Sequence, residues 1–170
     1  MMKLQIADYV LIVVLVVAVY SDLRFRKVWN WLTVSAIIVG LGLALFAPGA
    51  LTMVDCLKGL ALMLLVGLVG YFTGFIGAGD AKLLAGIGSL AGISSVALIL
   101  VVSAVAGGVM ALVLMAAKYG AKHGLGRIGR GFLQMAAVRS VYAGAVDEKR
   151  TRLPYSLAIA MGAMVWLIFR

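Results

Sequence analysis

Charge is scarce in this chain of 170 residues. Only 12% of them are charged and six are acidic, against about 25% charged in soluble domains. Sulfur and imidazole ligands are scarcer still, with one cysteine, Cys56, and one histidine, His123. A lone cysteine excludes a disulfide within the chain and any cysteine-based metal cluster. Cys56 falls near a helix end and reads as inert packing. His123, in "KYGAKHGLG", has no ligand residue beside it and reads as a loop residue. No metal site is expected. Proline occurs twice. Pro48, with Gly49, stops one apolar run, and Pro154 suits the first turn of a later helix.

What is present is apolar. Hydrophobic residues make up 65% of the chain and the mean hydropathy is +1.16. That composition excludes an ordinary soluble domain and predicts an all-α, polytopic membrane protein forming one membrane-embedded domain over residues 1–170. The net charge of +9 would suggest nucleic acid in a soluble protein. Here the basic residues flank apolar runs, so orientation and anionic lipid account for them and no nucleic-acid partner is expected.

A spanning helix needs about 20 mostly apolar residues. Six segments qualify: 4–21, 30–47, 57–76, 80–92, 95–117 and 153–169. The fourth is short and weakened by Gly86, Gly88 and Gly92. The first resembles a signal peptide in position only. Its apolar core is long and "VYSD" lacks a small-x-small cleavage pattern, so it reads as retained. With the N-terminus outside, 12 of the 15 Lys and Arg fall on one side, leaving Lys3, Lys58 and Arg170 on the other. The positive-inside rule makes the richer side cytoplasmic. Trp29, Trp31 and Tyr155 then sit near the cytoplasmic boundary and Trp166 near the outer one, as interface anchors do.

Residues 118–152 form a long cytoplasmic loop. Leu125, Ile128, Phe132, Met135, Val138 and Tyr142 recur at steps of three or four, with Arg127, Arg130 and Arg139 mostly off that stripe. This predicts a basic amphipathic helix lying in the membrane interface. Gly67, Gly70 and Gly74 in segment three, and Gly107 and Gly108 in segment five, allow close helix approach. Gly70 and Gly74 have GxxxG spacing, which serves packing within the chain or self-association into a homo-oligomer.

The acids sort by place. Asp8 and Asp55 fall at outer helix ends, and Asp147 and Glu148 in the basic loop. Asp22 closes segment one and Asp80 opens segment four. These two lie 58 positions apart in sequence yet at the same cytoplasmic depth, so a bundle can make them neighbours. Ionisable residues at membrane depth are costly and mark function. Two carboxylates sharing a site hold one proton near neutrality. The ionised member can take a proton from water attacking a peptide carbonyl, and the protonated member can donate one. Neither a metal nor a cofactor is needed. Gly77 and Gly79 permit positive φ and close backbone approach before Asp80, and Lys82 adds a nearby cation. Asp is also a preferred N-cap, and Asp80 alone supports that reading as well. The second Asp at matched depth favours catalysis.

These residues match a family pattern. "GAGDAKLL" (77–84) resembles the GxGDxKL motif of type IV prepilin peptidases, which are GxGD-type intramembrane aspartyl proteases. "SDLRFRKVWN" (21–30) resembles their first motif, and "LPYSLAIAMGA" (153–163) their final span, which opens with Pro-Tyr. The resemblance implies that Asp22 and Asp80 are the catalytic pair, cleaving the basic leader of a prepilin after a Gly at the cytoplasmic face of the bacterial inner membrane. Lys82, Asn30, Pro154 and Tyr155 become candidates for supporting the site or the substrate. Many relatives carry Ile-Pro-Asn where this chain has Val28-Trp29-Asn30, which puts the turn into segment two in doubt. Long-form relatives also carry a cytoplasmic domain with paired CxxC motifs and methylate the mature pilin. Here only residues 22–30 separate the first two segments. The chain resembles the short, peptidase-only form associated with Flp-type (Tad) pili, without methyl transfer. The competing readings are another GxGD protease, a small ion-coupled transporter using Asp22 and Asp80 as ion sites, and a structural membrane partner in which Asp80 only caps a helix.

Overall fold

The computed structural model describes residues 5–46, 51–73, 76–119 and 155–169, with side chains of 114–119 excepted. The amphipathic stripe of the 118–152 loop, His123, Asp147, Glu148, Gly74 and Pro154 lie outside the described residues. Among the described residues the protein is entirely helical. In chain order the helices are α1 (Ile6–Phe25), α2 (Asn30–Phe46), α3 (Met53–Thr73), α4 (Ala78–Ala91), α5 (Ile93–Tyr119) and α6 (Tyr155–Phe169).

The helix starts follow from local chemistry. Gln5 N–H donates to Asp8 Oδ2 at 2.8 Å, three residues into α1. In α3 the Thr52 hydroxyl donates to Asp55 Oδ2 at 2.6 Å and accepts from the Asp55 N–H at 3.1 Å, so a threonine–aspartate pair caps the helix ahead of the apolar run. Hence α3 starts at Met53, earlier than the expected 57, and ends at Thr73. α1 likewise continues past residue 21. It stops where Arg26 takes a left-handed φ of 51° and donates its N–H to the Asp22 carbonyl at 2.8 Å. Asp22 therefore lies inside the last turn of α1, not at its boundary.

Three helices, Ile6–Phe25, Met53–Thr73 and Ile93–Val113, are long and apolar enough to cross a membrane; Asn30–Phe46 and Tyr155–Phe169 are apolar but shorter. α4 has 14 residues, which at 1.5 Å each is about 21 Å, less than the roughly 30 Å of a bilayer core. It compensates by being enclosed. Every residue from Leu83 to Ala91 is buried, and α4 packs against all five other helices. Large apolar side chains such as Val13, Val16, Val101 and Val105 point outward. Small residues face inward, as expected where lipid offers no hydrophobic drive between helices and close packing must hold them.

The tightest crossing is α3 on α4. A Cβ placed on Gly59 or on Gly88 would collide with the carbonyl oxygen of the other. Ala36 of α2 packs on Gly86 from the opposite side, with 3.1 Å to an added Cβ. The glycines that weaken segment four as an isolated span are thus its packing surfaces. Gly92 joins α4 to α5 with φ of 74°, a region that disfavours other residues.

Gly88→Val forces backbone apart from backbone, whereas Gly108→Val meets nothing within 4 Å. Overpacking of this kind costs about 1–3 kcal/mol or more. Thermal unfolding in detergent micelles should show Gly88→Val melting well below wild type, or failing to accumulate, while Gly108→Val melts with it.

Candidate active site

α1 packs on both α4 and α6, and its last turn carries Asp22 to the end of the bundle where α4 begins. Asp80 is the third helical residue of α4, whose N-cap is Gly77. Asp22 and Asp80 lie within electrostatic reach of each other. The depth matching read from sequence is therefore realised as proximity.

The capping role of Asp80 differs from the one expected. It is not the N-cap. It sits at the third position and its carboxylate accepts the Gly77 backbone N–H. Asp8 and Asp55 hold the same position in α1 and α3. In α4 the N-cap is glycine, so no side chain reciprocates. One oxygen of Asp80, Oδ1, is enclosed and accepts no hydrogen bond among the described residues. A buried acceptor left open costs free energy, which separates Asp80 from a purely structural cap.

Gly77 has extended backbone, with φ of −73°, and Gly79 is helical. Neither uses the positive φ that glycine permits. Gly79 instead admits the linker between α1 and α2: a Cβ there would stand 3.2 Å from Cβ of the buried Val28. The space beside Gly79 is thus occupied by the protein itself. At Gly77 an added Cβ would meet only the Asp80 carboxylate, 3.1 Å from Oδ2. Gly77 is exposed, leaving that side of the segment before α4 open.

Lys82 and Asn30 meet. The Lys82 ammonium donates to Asn30 Oδ1 at 3.1 Å on the exposed surface, joining the start of α2 to α4. In the linker, Trp29 stacks with Trp31 at 5.8 Å between centroids and tilts against Phe25 at 5.5 Å. This cluster forms the turn where relatives carry proline. From α6, Tyr155 reaches the site. Its hydroxyl lies within electrostatic reach of Asp80, and its ring rests on Gly107 of α5, where a Cβ would come within 2.7 Å of Cε2.

Ser156 was not among the residues expected from sequence. It is fully buried, and its Oγ donates to Asp22 Oδ2 at 2.6 Å, the length of a charge-assisted O–H···O⁻ bond. Its signal in the sequence is slight: a serine two residues after Pro154. Among the described residues no group of three or more His, Cys, Asp or Glu could hold a metal ion.

The Lys82–Asn30 contact is solvent-exposed, so Asn30→Ala should cost little. A neutral–charged hydrogen bond in water is worth about 1 kcal/mol, and any activity assigned to this site should fall by less than roughly tenfold in a rate assay.

Neither the curated proteins nor the solved structures compared with the chain gave a match. The family model described as the type IV leader peptidase family matches residues 9–112. That stretch contains Asp22, Asn30, Gly77, Gly79, Asp80 and Lys82. With its apolar helices, this is an integral membrane protein, and the chain belongs to the type IV leader peptidase family.

Proposed function

We propose that the protein is an aspartic endopeptidase that removes basic leader peptides from prepilins, with Asp22 and Asp80 as the catalytic pair. The observation that carries this reading is the meeting of two carboxylates from α1 and α4 at one end of the bundle, one of them with an enclosed oxygen open to a new partner. The family match supports the reaction class.

The chemistry balances with water alone. One carboxylate takes a proton from water as the water oxygen bonds to the peptide carbonyl carbon. The other donates its proton to the carbonyl oxygen. The C–N bond of the adduct then breaks. The nitrogen receives the proton that came from water, and an adduct hydroxyl returns one to the second carboxylate. Both acids end as they began.

The short linker and single cysteine support the peptidase-only form that serves Flp-type pili, without methyl transfer. The distribution of Lys and Arg supports an inner-membrane protein with its N-terminus outside and the pair at the cytoplasmic face. The substrate then presents a basic leader, a Gly, and an apolar helix that docks beside the bundle. Gly77, exposed next to Asp80, is where the extended cleavage region would lie.

The test is purified protein in detergent or lipid with a Flp-type prepilin, read by mass spectrometry. Wild type should cleave after the leader Gly. Asp22→Asn and Asp80→Asn should each lose about 10²–10⁴-fold in rate or more while melting close to wild type. If Asp80 serves only to accept the Gly77 N–H, Asp80→Asn keeps that acceptor and should process normally. Full processing by either variant would falsify the assignment.

A further inference from the structure

Serine and threonine hydroxyls in this bundle mostly turn back on their own helix. Ser21, Thr33, Ser35, Ser89 and Ser95 donate to the carbonyl three residues earlier, at 2.6–3.1 Å. Such local bonds are the usual fate of a hydroxyl in a helix packed in an apolar setting. Ser156 departs from this. It is the second residue of α6. Its hydroxyl crosses to α1 and donates to Asp22 Oδ2 at 2.6 Å, from a side chain with no exposed surface.

The two aspartates are therefore supported unequally. Asp22 accepts a short bond from a buried hydroxyl. Asp80 accepts a backbone N–H on its carboxylate, while Oδ1 is enclosed and accepts nothing among the described residues. An oxygen with no donor facing it is where a carboxyl proton can reside. A carboxylate that accepts a short hydroxyl bond is favoured in its ionised form.

We infer that Ser156 is a positioning residue that divides the roles of the pair: it orients Asp22 and keeps it as the ionised base that receives the proton from water, leaving Asp80 to carry the shared proton and donate it to the substrate carbonyl. This rests on the peptidase reading above and assigns within it what the two acids alone leave symmetric. Among the described residues the elements that meet at this end carry few charged or titratable groups, and α1 itself adds Arg24 in its last turn. α4 brings Asp80, and Lys82 whose ammonium is turned to Asn30. α6 brings Tyr155 and Ser156. α2 carries no ionisable side chain, and the linker holds Arg26 and Lys27.

The experiment measures kcat, KM and the pH–rate profile of prepilin cleavage for wild type, Asp22→Asn, Ser156→Ala, Ser156→Cys and Ser156→Thr, with thermal melts for each. The acidic limb of the profile reports the base. A base that loses a hydrogen bond favouring its ionised form moves that limb to higher pH. Ser156→Ala should lower kcat about ten- to hundredfold with KM little changed, and should move the acidic limb up by about one to two pH units. Ser156→Cys, close in volume and a poor donor, should do the same and serves if the alanine variant does not fold. Ser156→Thr keeps the donor and should keep the limb in place. An acidic limb that stays put in both donor-poor variants overturns the inference, whatever happens to kcat. So does a shift of the alkaline limb alone, which would make Asp22 the acid. An inactive wild type, or an active Asp22→Asn, overturns the peptidase reading and this inference with it. An inactive Asp22→Asn beside an unshifted Ser156→Ala overturns the role of Ser156 only.

Discussion

Backbone contact between α3 and α4 at Gly59 and Gly88 is the constraint on which the rest of the structure depends. No side chain separates the two helices there. α4 is too short to be a comfortable span, so it is stable only where neighbours surround it. The close crossing supplies that, with Ala36 and Gly40 of α2 packing on the other side. Once α4 is clamped, its first turn has one place to be. Asp80 is delivered beside the last turn of α1, and Lys82 beside the start of α2. The candidate site is a result of helix packing, with the loops contributing little.

The same local motif serves two ends. Three helices carry an aspartate at their third position. In α3 the N-cap threonine pairs reciprocally with it, and in α1 the carboxylate accepts the N-cap N–H. In α4 glycine at the N-cap keeps the backbone bond and withholds the side-chain one. The helix is started, yet part of the carboxylate is left uncommitted. A small change in the N-cap residue thus leaves one carboxylate oxygen of the aspartate without a partner among the described residues.

Much of this was legible in the sequence. Apolar runs located the six helices of the described residues, and the scarcity of acids singles out Asp22 and Asp80. Their shared depth followed from counting spans. Element ends were less legible, because they depend on single hydrogen bonds. The Thr52–Asp55 pair moved the start of α3, and Arg26 let α1 run past Asp22. The neighbour of Gly79 is illegible for another reason. A missing side chain advertises room without saying who fills it, and Val28 does. Ser156 was hidden because its meaning is a partner 134 positions away. Pattern reading along one helix cannot see which neighbour a hydroxyl will face. Pro154 and Tyr155, beside it, were noticed for their resemblance to a motif, while the residue that touches Asp22 was not.

The order in which the helices are made gives the Ser156 contact a temporal meaning. During synthesis, α1 and α4 are complete while α6 is still to come. A nascent chain at that stage holds both aspartates in the membrane but lacks the hydroxyl that buttresses one of them and the Tyr155 ring that packs on α5. The Ser156 contact forms only when the ribosome has passed residue 156 and α6 has docked. Under the peptidase reading proposed above, the aspartate pair drawn from α1 and α4 thereby lacks its α6 support through most of the protein's synthesis, when unfolded membrane segments, its own included, are close at hand.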